Sequence, residues 1–314
     1  VFVPSQYFRF VARAAERRRS PLLEQLLARA DHRTPVTDWR ADAFRVIAPS
    51  LSSMPGVAAA ALCAVDTAAV DTATVDAAWV CAATPVHYAA EMTTVRMSAD
   101  GVLSLQPNEA ESLASDFNRV WAGSGIRMTA ARTAAGTAQL FCVFDRALDV
   151  ATCDPEDVSG RHLEEFLPAG EDAARLKRLM SETEMWLFEH EANRIRTELL
   201  RPTISGLWFW GGGASVAALP SVQGWAAGDD LFFDAFNRSR DEKYPSGVVA
   251  AVCAPGSDQW HTVEARWLRP AVEDLRARRI SRLQLSAADR CFTVTARGLR
   301  RFWRRTKPWW ESFE

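Results

Sequence analysis

The sequence is poor in the spacings that mark common chemistries. No G-x-x-x-x-G-K run is present to cradle a nucleotide's phosphates, and no G-x-S-x-G elbow to present a serine nucleophile. The six cysteines, Cys63, Cys81, Cys142, Cys153, Cys253 and Cys291, form no C-x-x-C pair, so the usual zinc and dithiol signatures are missing. They sit in apolar or strand-like surroundings, as small buried hydrophobes do, and a chain rich in core residues needs no disulfide framework. Cys153, beside Asp154, has no evident base partner and reads as a structural thiol. The five histidines, His32, His87, His162, His190 and His261, are isolated, with neither H-x-x-x-H nor H-x-D spacing. His87 follows a proline at a strand end and suits a structural role as well as a ligand-binding one. No apolar run reaches the length of a membrane span, and the arginine-rich start lacks a signal-like apolar stretch, so the cytoplasm is the expected compartment. Excess charge is also missing. A net charge of −2 predicts no general attraction to nucleic acid. Tyrosine is scarce, three against twelve tryptophans. Indoles combine a large apolar body with one N–H, so many belong in a core or cleft.

What the chain has is apolar content, 48% over 314 residues, enough for one elaborated α/β domain or two coupled lobes. The densest stretch runs from Met185 to Gly213. Ala173 to Leu199 holds no Gly or Pro, and Leu176, Leu179, Met180, Thr183, Trp186, Leu187, Ile195 and Leu199 recur at helical spacing. His190, Asn193 and Arg196 are three apart and fall on one face of such a helix. Pro202 ends it. Leu207 to Trp210 suits a buried strand, which is expected to stop at Gly211, Gly212 and Gly213. Those glycines permit unusual backbone angles and let another group approach closely. Two readings fit: a capped core helix followed by a flexible turn, or a strand opening onto a ligand cleft.

Elsewhere, Val1 to Pro4 suits a first strand. Ser20 caps a helix with Pro21 at its first position and Leu22, Leu23, Leu26 and Leu27 as its apolar face. Thr37 or Asp38 caps a second helix to Ala48. An Ala-rich helix fits 56–64, and the V-D-T-A theme of Val65 to Asp76 reads as a connection. Trp79 to Thr84 and Gln139 to Phe144 are expected strands. Thr93 to Met97 and Val102 to Leu105 flank a turn signal, Ser98-Ala99-Asp100-Gly101, that predicts a hairpin. Asn108 caps a helix to Trp121. A short helix is expected from Asp230 or Leu231 to Arg240, a strand at Val248 to Cys253, an amphipathic segment at His261 to Arg278, and paired strands at Arg282 to Leu285 and Cys291 to Thr295.

The order of these pieces resembles archaeal-type cofactor-independent phosphoglycerate mutases. The run His190-x-x-Asn193-x-x-Arg196, then Pro202, then Trp208-Phe209-Trp210-Gly211-x-Gly213, is similar to their H-P-V-N-x-x-R-x-x-x-G-x-x-P-A-N motif followed by a strand and G-x-G. Asp154-Pro155 with Gly160 resembles their D-P-x-x-x-G loop. Pro85-Val86-His87-Tyr88, the L-W-F-W-G-G-G strand and the arginine-rich tail resemble RpfE-type proteins, a proteobacterial group that looks like trimmed relatives of those mutases. The likeness covers roughly residues 79 to 305. Leu200 stands where the motif has Gly, Glu191 replaces Pro, and Ser205 replaces the second Asn. Pro4-Ser5 falls where the mutases place a metal-binding Asp-Gly, and their later D-x-x-x-H and D-H ligands have no evident counterpart. Two-metal phosphoryl transfer needs several converging carboxylates and histidines.

The resemblance implies an α/β fold: a reduced alkaline-phosphatase-like mixed sheet flanked by helices (1–78 and 204–305), an inserted α+β lobe (79–203) and a basic, aromatic tail (306–314). It implies a non-catalytic regulatory or small-anion-binding protein without cofactors. Its ligand, bearing phosphate or carboxylate, would lie against His190, Asn193, Arg196, Trp208, Trp210, Gly211, Gly212 and Gly213. A forked contact from Arg196 would hold the anion, and a protein partner is also compatible. The alternative is an active phosphoglycerate mutase or phosphatase with two divalent ions such as manganese. A third reading uses the tail, where Arg297, Arg300, Arg301, Arg304, Arg305 and Lys307 surround Phe302, Trp303, Trp309 and Trp310, to contact nucleic acid. Against it, the tryptophans can pack on the body and the arginines pair with surface acids.

Overall fold

The computed structural model describes residues 2–3, 19–36, 38–63, 78–132, 136–222, 224–228, 230–238, 249–252, 264–287 and 290–312. In chain order these contain β1 (Phe2–Val3), α1 (Pro21–Arg29), β2 (His32–Pro35), α2 (Trp39–Ile47), α3 (Val57–Cys63), β3 (Trp79–Ala90), β4 (Val95–Val102) and α4 (Pro107–Val120). There follow β5 (Ile126–Arg132), β6 (Ala138–Phe144), α5 (Pro155–Val158), α6 (Ala173–Phe188), α7 (Glu191–Glu198) and β7 (Gly206–Ala214). The remainder is β8 (Trp225–Gly228), α8 (Leu231–Arg238), β9 (Val249–Val252), α9 (Arg269–Arg276), β10 (Arg282–Ala287), β11 (Arg290–Thr295) and α10 (Ala296–Leu299). No helix among the described residues is long and apolar enough to cross a membrane. The expected α/β class is present: two sheets with associated helices, divided between two compact units.

One unit comprises Val1–Met54, Ser221–Asp230 and Glu242–Glu314. Its sheet has the order β2-β11-β10-β1-β9-β8. Strands β10, β1, β9 and β8 are parallel, and β11 joins β10 and β2 antiparallel. The predicted pairing of β10 with β11 is therefore present; the strand β2 was not foreseen, because H-R-T-P lacks an alternating pattern and is exposed. Helix α1 begins at Pro21 as expected and buries Leu23, Leu26 and Leu27 against Val272, Leu275, Leu285 and Phe292. Ser20 precedes it, but its hydroxyl donates to Glu264 rather than capping the helix. Asp38 caps α2 by accepting from the Ala41 amide. Trp309, assigned from sequence to a separate tail, is buried in this core, since an indole left in water forfeits its large apolar area.

The other unit comprises Pro55–Pro220 and Leu231–Asp241. Strand β7, placed by sequence in the phosphatase-like core, pairs with β3 along Trp79 to Val86, and α3 lies in the same unit. The sheet runs β4-β3-β6-β5, with β7 on β3. Twelve-residue β3 pairs with β6 through Trp79–Ala83 and with β4 through Val86–Ala90. A core of Phe117, Phe144, Leu113, Leu176, Leu187 and Phe209 fills the lobe. Burial of a single such phenylalanine contributes about 2 kcal/mol.

Three local expectations change here. The expected hairpin of Thr93–Met97 with Val102–Leu105 does not form: Val95–Val102 is a single strand, β4, with Ser98 to Gly101 absorbed as an irregularity, and the hairpin present joins β3 to β4 with its turn at Glu91–Thr94. Gln106, not Asn108, caps α4, through a reciprocal capping box with Glu109. The long helix is two helices. After Phe188 the backbone leaves helical geometry, and His190 takes the N-cap position of α7 at φ −71°, ψ 142°, its ring nitrogen accepting from the Ala192 amide at 3.1 Å. The V-D-T-A segment, Pro4-Ser5, Cys253 and His261 lie outside the described residues.

Candidate functional site

His190, Asn193 and Arg196 are brought together on α7, and each is engaged from within the lobe. The His190 Nδ1 accepts the Ala192 amide, so the other nitrogen carries the proton of a neutral ring; that Nε2 lies 3.3 Å from Asp116 on α4. The ring also packs edge-on to Trp186 at 4.6 Å.

Asn193 is buried and makes three bonds. Its amide nitrogen donates to the Leu187 and Ile204 carbonyls, both at 2.8 Å, and its oxygen accepts from the Ile204 amide at 2.7 Å. It therefore mimics a strand partner for the linker after α7. Such bonds satisfy backbone groups that no water can reach.

Arg196 is 5% exposed. Its Nε and Nη2 fork onto both oxygens of Glu109. Nη1 donates to the Pro202 carbonyl at 3.0 Å and Nη2 to the Ser104 carbonyl at 3.1 Å. Glu109 is thus shared between the α4 cap and the guanidinium. The forked carboxylate contact expected for a ligand is present, but the carboxylate belongs to the chain itself. The sequence signal for it was the Q-x-x-E capping pattern at Gln106 and Glu109, and Asp116, seven residues on, lies on the same stretch of α4.

Nearby, the His87 Nδ1 lies 2.8 Å from the Thr203 carbonyl, and Ser205 joins it by accepting the Tyr88 amide at 3.0 Å. Together with Asn193 and Arg196, these residues fasten Pro202 to Ser205 to the sheet. His87 is a structural histidine here.

The aromatic strand is also closed. Trp208 is 1% exposed and donates to the Cys153 carbonyl at 2.9 Å. Trp210 donates to the Thr84 hydroxyl at 2.8 Å. The strand does not stop at the glycines: β7 continues to Ala214, with a one-residue register shift between Val80 and Ala82. Gly211, at φ +63°, supplies the left-handed angle such a bulge uses. The predicted close approach occurs, but the approaching groups are the protein's own. A Cβ at Gly212 would meet the Trp79 ring at 1.9 Å, and one at Gly213 would meet the Gly56 Cα at 2.8 Å. His190, Asn193, Arg196, Trp208, Trp210 and Gly211 to Gly213 thus line a packed, hydrogen-bonded seam within the protein.

Cys81, Cys142 and Cys153 are not poised as nucleophiles. Burial pushes Cys153 up to about 12, and Cys81 and Cys142, paired across β3 and β6, are fully buried and raised by desolvation. Among the described residues no three His, Cys, Asp or Glu side chains cluster as metal ligands would.

The fold and seam define a mixed α/β protein whose second unit is held shut by a polar clamp. No protein-family profile matches the chain. A probable 2,3-bisphosphoglycerate-independent phosphoglycerate mutase of Geobacter sulfurreducens is 39% identical over 59 residues, 19% of this chain and 15% of that protein. The chain thus has a weak, partial relationship to these mutases, and the match spans only a small part of the relative's length. Among solved structures, the cofactor-independent phosphoglycerate mutase of Thermoplasma acidophilum is similar at a TM-score of 0.37 and 13% identity, covering 86% of this chain and 81% of that one. A Pyrococcus horikoshii protein is similar at a TM-score of 0.40 and 10% identity, covering 88% and 80%.

Proposed function

We propose that this chain is a non-catalytic, regulatory relative of the cofactor-independent phosphoglycerate mutases, of the RpfE type, with a reduced alkaline-phosphatase-like core. It acts in the cytoplasm by binding, either to a protein partner or to a small phosphate- or carboxylate-bearing ligand. The observation that carries this reading is the fate of Arg196. In the resemblance it belongs to the mutase motif; here all its donating nitrogens are spent on Glu109, Ser104 and Pro202. An anion could reach that fork only by displacing the half-buried Glu109 carboxylate, with which it would compete directly. Asn193 is committed to the Ile204 backbone in the same way.

The test is incubation of the whole chain with 3-phosphoglycerate and manganese, followed by phosphorus NMR. The expected result is no 2-phosphoglycerate. Steady formation of 2-phosphoglycerate that a chelator abolishes would restore the metal-dependent enzyme and overturn the proposal. A rise in melting temperature with the same compound and no turnover would identify the small-anion form of the binding role.

A further inference from the structure

The basic, aromatic tail divides into two parts. Trp309 and Trp310 pack on the core, and Arg301 and Arg304 are tied down. Phe302 and Trp303, between those two arginines, are 80% and 67% exposed. Their rings meet edge to face at 5.4 Å. Exposing two large aromatics side by side forfeits burial, and the chain does so at a site with other unusual properties. From Arg290 to Trp310 there are seven Arg or Lys residues and no Asp or Glu. Arg297, Arg300, Arg304, Arg305 and Lys307 are exposed there.

The turn carrying the rings is held in place. Arg301 bridges to Asp31 at 2.7 Å, while Asp31 also accepts from the Thr295 amide and hydroxyl. Arg304 donates to the Ala28 and Ala30 carbonyls at 3.2 and 2.9 Å. One arginine on each side therefore staples the turn to the end of α1 and the residues that follow it, and the two rings stand on a fixed base. A preorganised platform loses little freedom when it binds.

We propose that Phe302 and Trp303, with the surrounding exposed arginines and Lys307, form a binding platform for single-stranded nucleic acid. Every unpaired base has a flat face that an exposed indole or phenyl ring can stack on, and this contact tolerates any sequence. Four of the five exposed cations are arginines, whose planar fork suits phosphate oxygens and can itself stack. A membrane surface fits less well: two rings on a short turn, with cations on both sides, do not make the continuous apolar face that interfacial binding uses. Duplex DNA would meet the charges but offer no free base faces to the rings. The low net charge of the whole chain does not oppose a local patch, because screening limits its reach to about 10 Å.

The test uses the whole chain and a fluorescently labelled oligothymidylate, read by anisotropy across a salt series. Binding should weaken with salt, with a log–log slope no steeper than about −3.5 for five cations on a single strand. Trp303→Ala should weaken binding about tenfold, and Arg305→Glu should reduce both affinity and slope. Both side chains are exposed, so an unchanged melting temperature is expected for each variant. Matched duplex should bind more weakly and ignore Trp303→Ala. Equal binding of duplex and single strand, or indifference of single-strand binding to Trp303→Ala, would overturn the proposal. So would binding to vesicles of phosphatidylcholine with phosphatidylserine in the absence of oligonucleotide binding.

Discussion

Replacing Leu200 with glycine should stabilise this protein, although the substitution removes a large apolar side chain. Helix α7 ends at Glu198 with Leu199 as its C-cap, and Leu200 follows at φ +53°. The Arg201 amide donates to the Arg196 carbonyl and the Leu200 amide to the Thr197 carbonyl. That double closure is the Schellman arrangement, in which the left-handed residue is usually glycine. An L-residue there crowds its Cβ against backbone, which costs about 1–2 kcal/mol. Glycine relieves this but adds unfolded-state freedom worth about 0.5–1 kcal/mol. The Leu200 side chain is 94% exposed, so its removal sacrifices almost no burial. The balance is a gain of about 0.5–1 kcal/mol. Equilibrium urea unfolding of both proteins, with unchanged slope, measures it directly. A loss of stability in Leu200→Gly would refute the reasoning and mean that Leu200 is covered in solution.

Gly212→Ala should have the opposite effect. The added methyl would fall inside the contact distance of Trp79, which is itself wedged against Phe144, so a destabilisation of about 3 kcal/mol is expected by thermal or urea unfolding; a silent substitution would show that the strand can slide. Asp31 provides a pH test. Burial works to raise its carboxyl, but bonds from Thr295 and the charge of Arg301 outweigh it and hold it below the ordinary carboxylate value. Its contribution is therefore complete above about pH 4 and lost as pH falls through the lower folded value. Asp31→Asn should lower the melting temperature at neutral pH and flatten its fall below about pH 4; parallel curves would count against this linkage.

Much of the fold was legible where local rules act alone. Pro21 started α1, Asp38 capped α2, and the β10–β11 pair followed from alternation. The departures have two causes, local caps made by unusual residues and partners far along the chain. Nothing in E-H-E-A-N marks a helix break, because the break is made by a histidine ring acting as a cap, a role usually filled by Ser, Asp or Asn. The glycines of β7 fit either a flexible turn or the mouth of a cleft, because glycine permits both open turns and close packing. Only Trp79 and Gly56, more than a hundred residues earlier, decide between those uses. Grouping His190, Asn193 and Arg196 was sound, and their convergence is real. What spacing could not reveal was that Arg196 bonds to Glu109 and Asn193 to the Ile204 backbone.

The most direct test of the internal clamp is a double-mutant cycle on Arg196 and Glu109, read by the free energy of unfolding. Removing Glu109 strands the buried Arg196 charge, so Glu109→Ala should cost about 3–5 kcal/mol; the Glu109 carboxylate is partly exposed, so Arg196→Ala should cost about 2–3 kcal/mol. The double variant should cost clearly less than their sum, since the two side chains are in contact. Additive losses, or an Arg196→Ala protein as stable as the parent, would contradict the clamp and return Arg196 to the role of a ligand-binding residue.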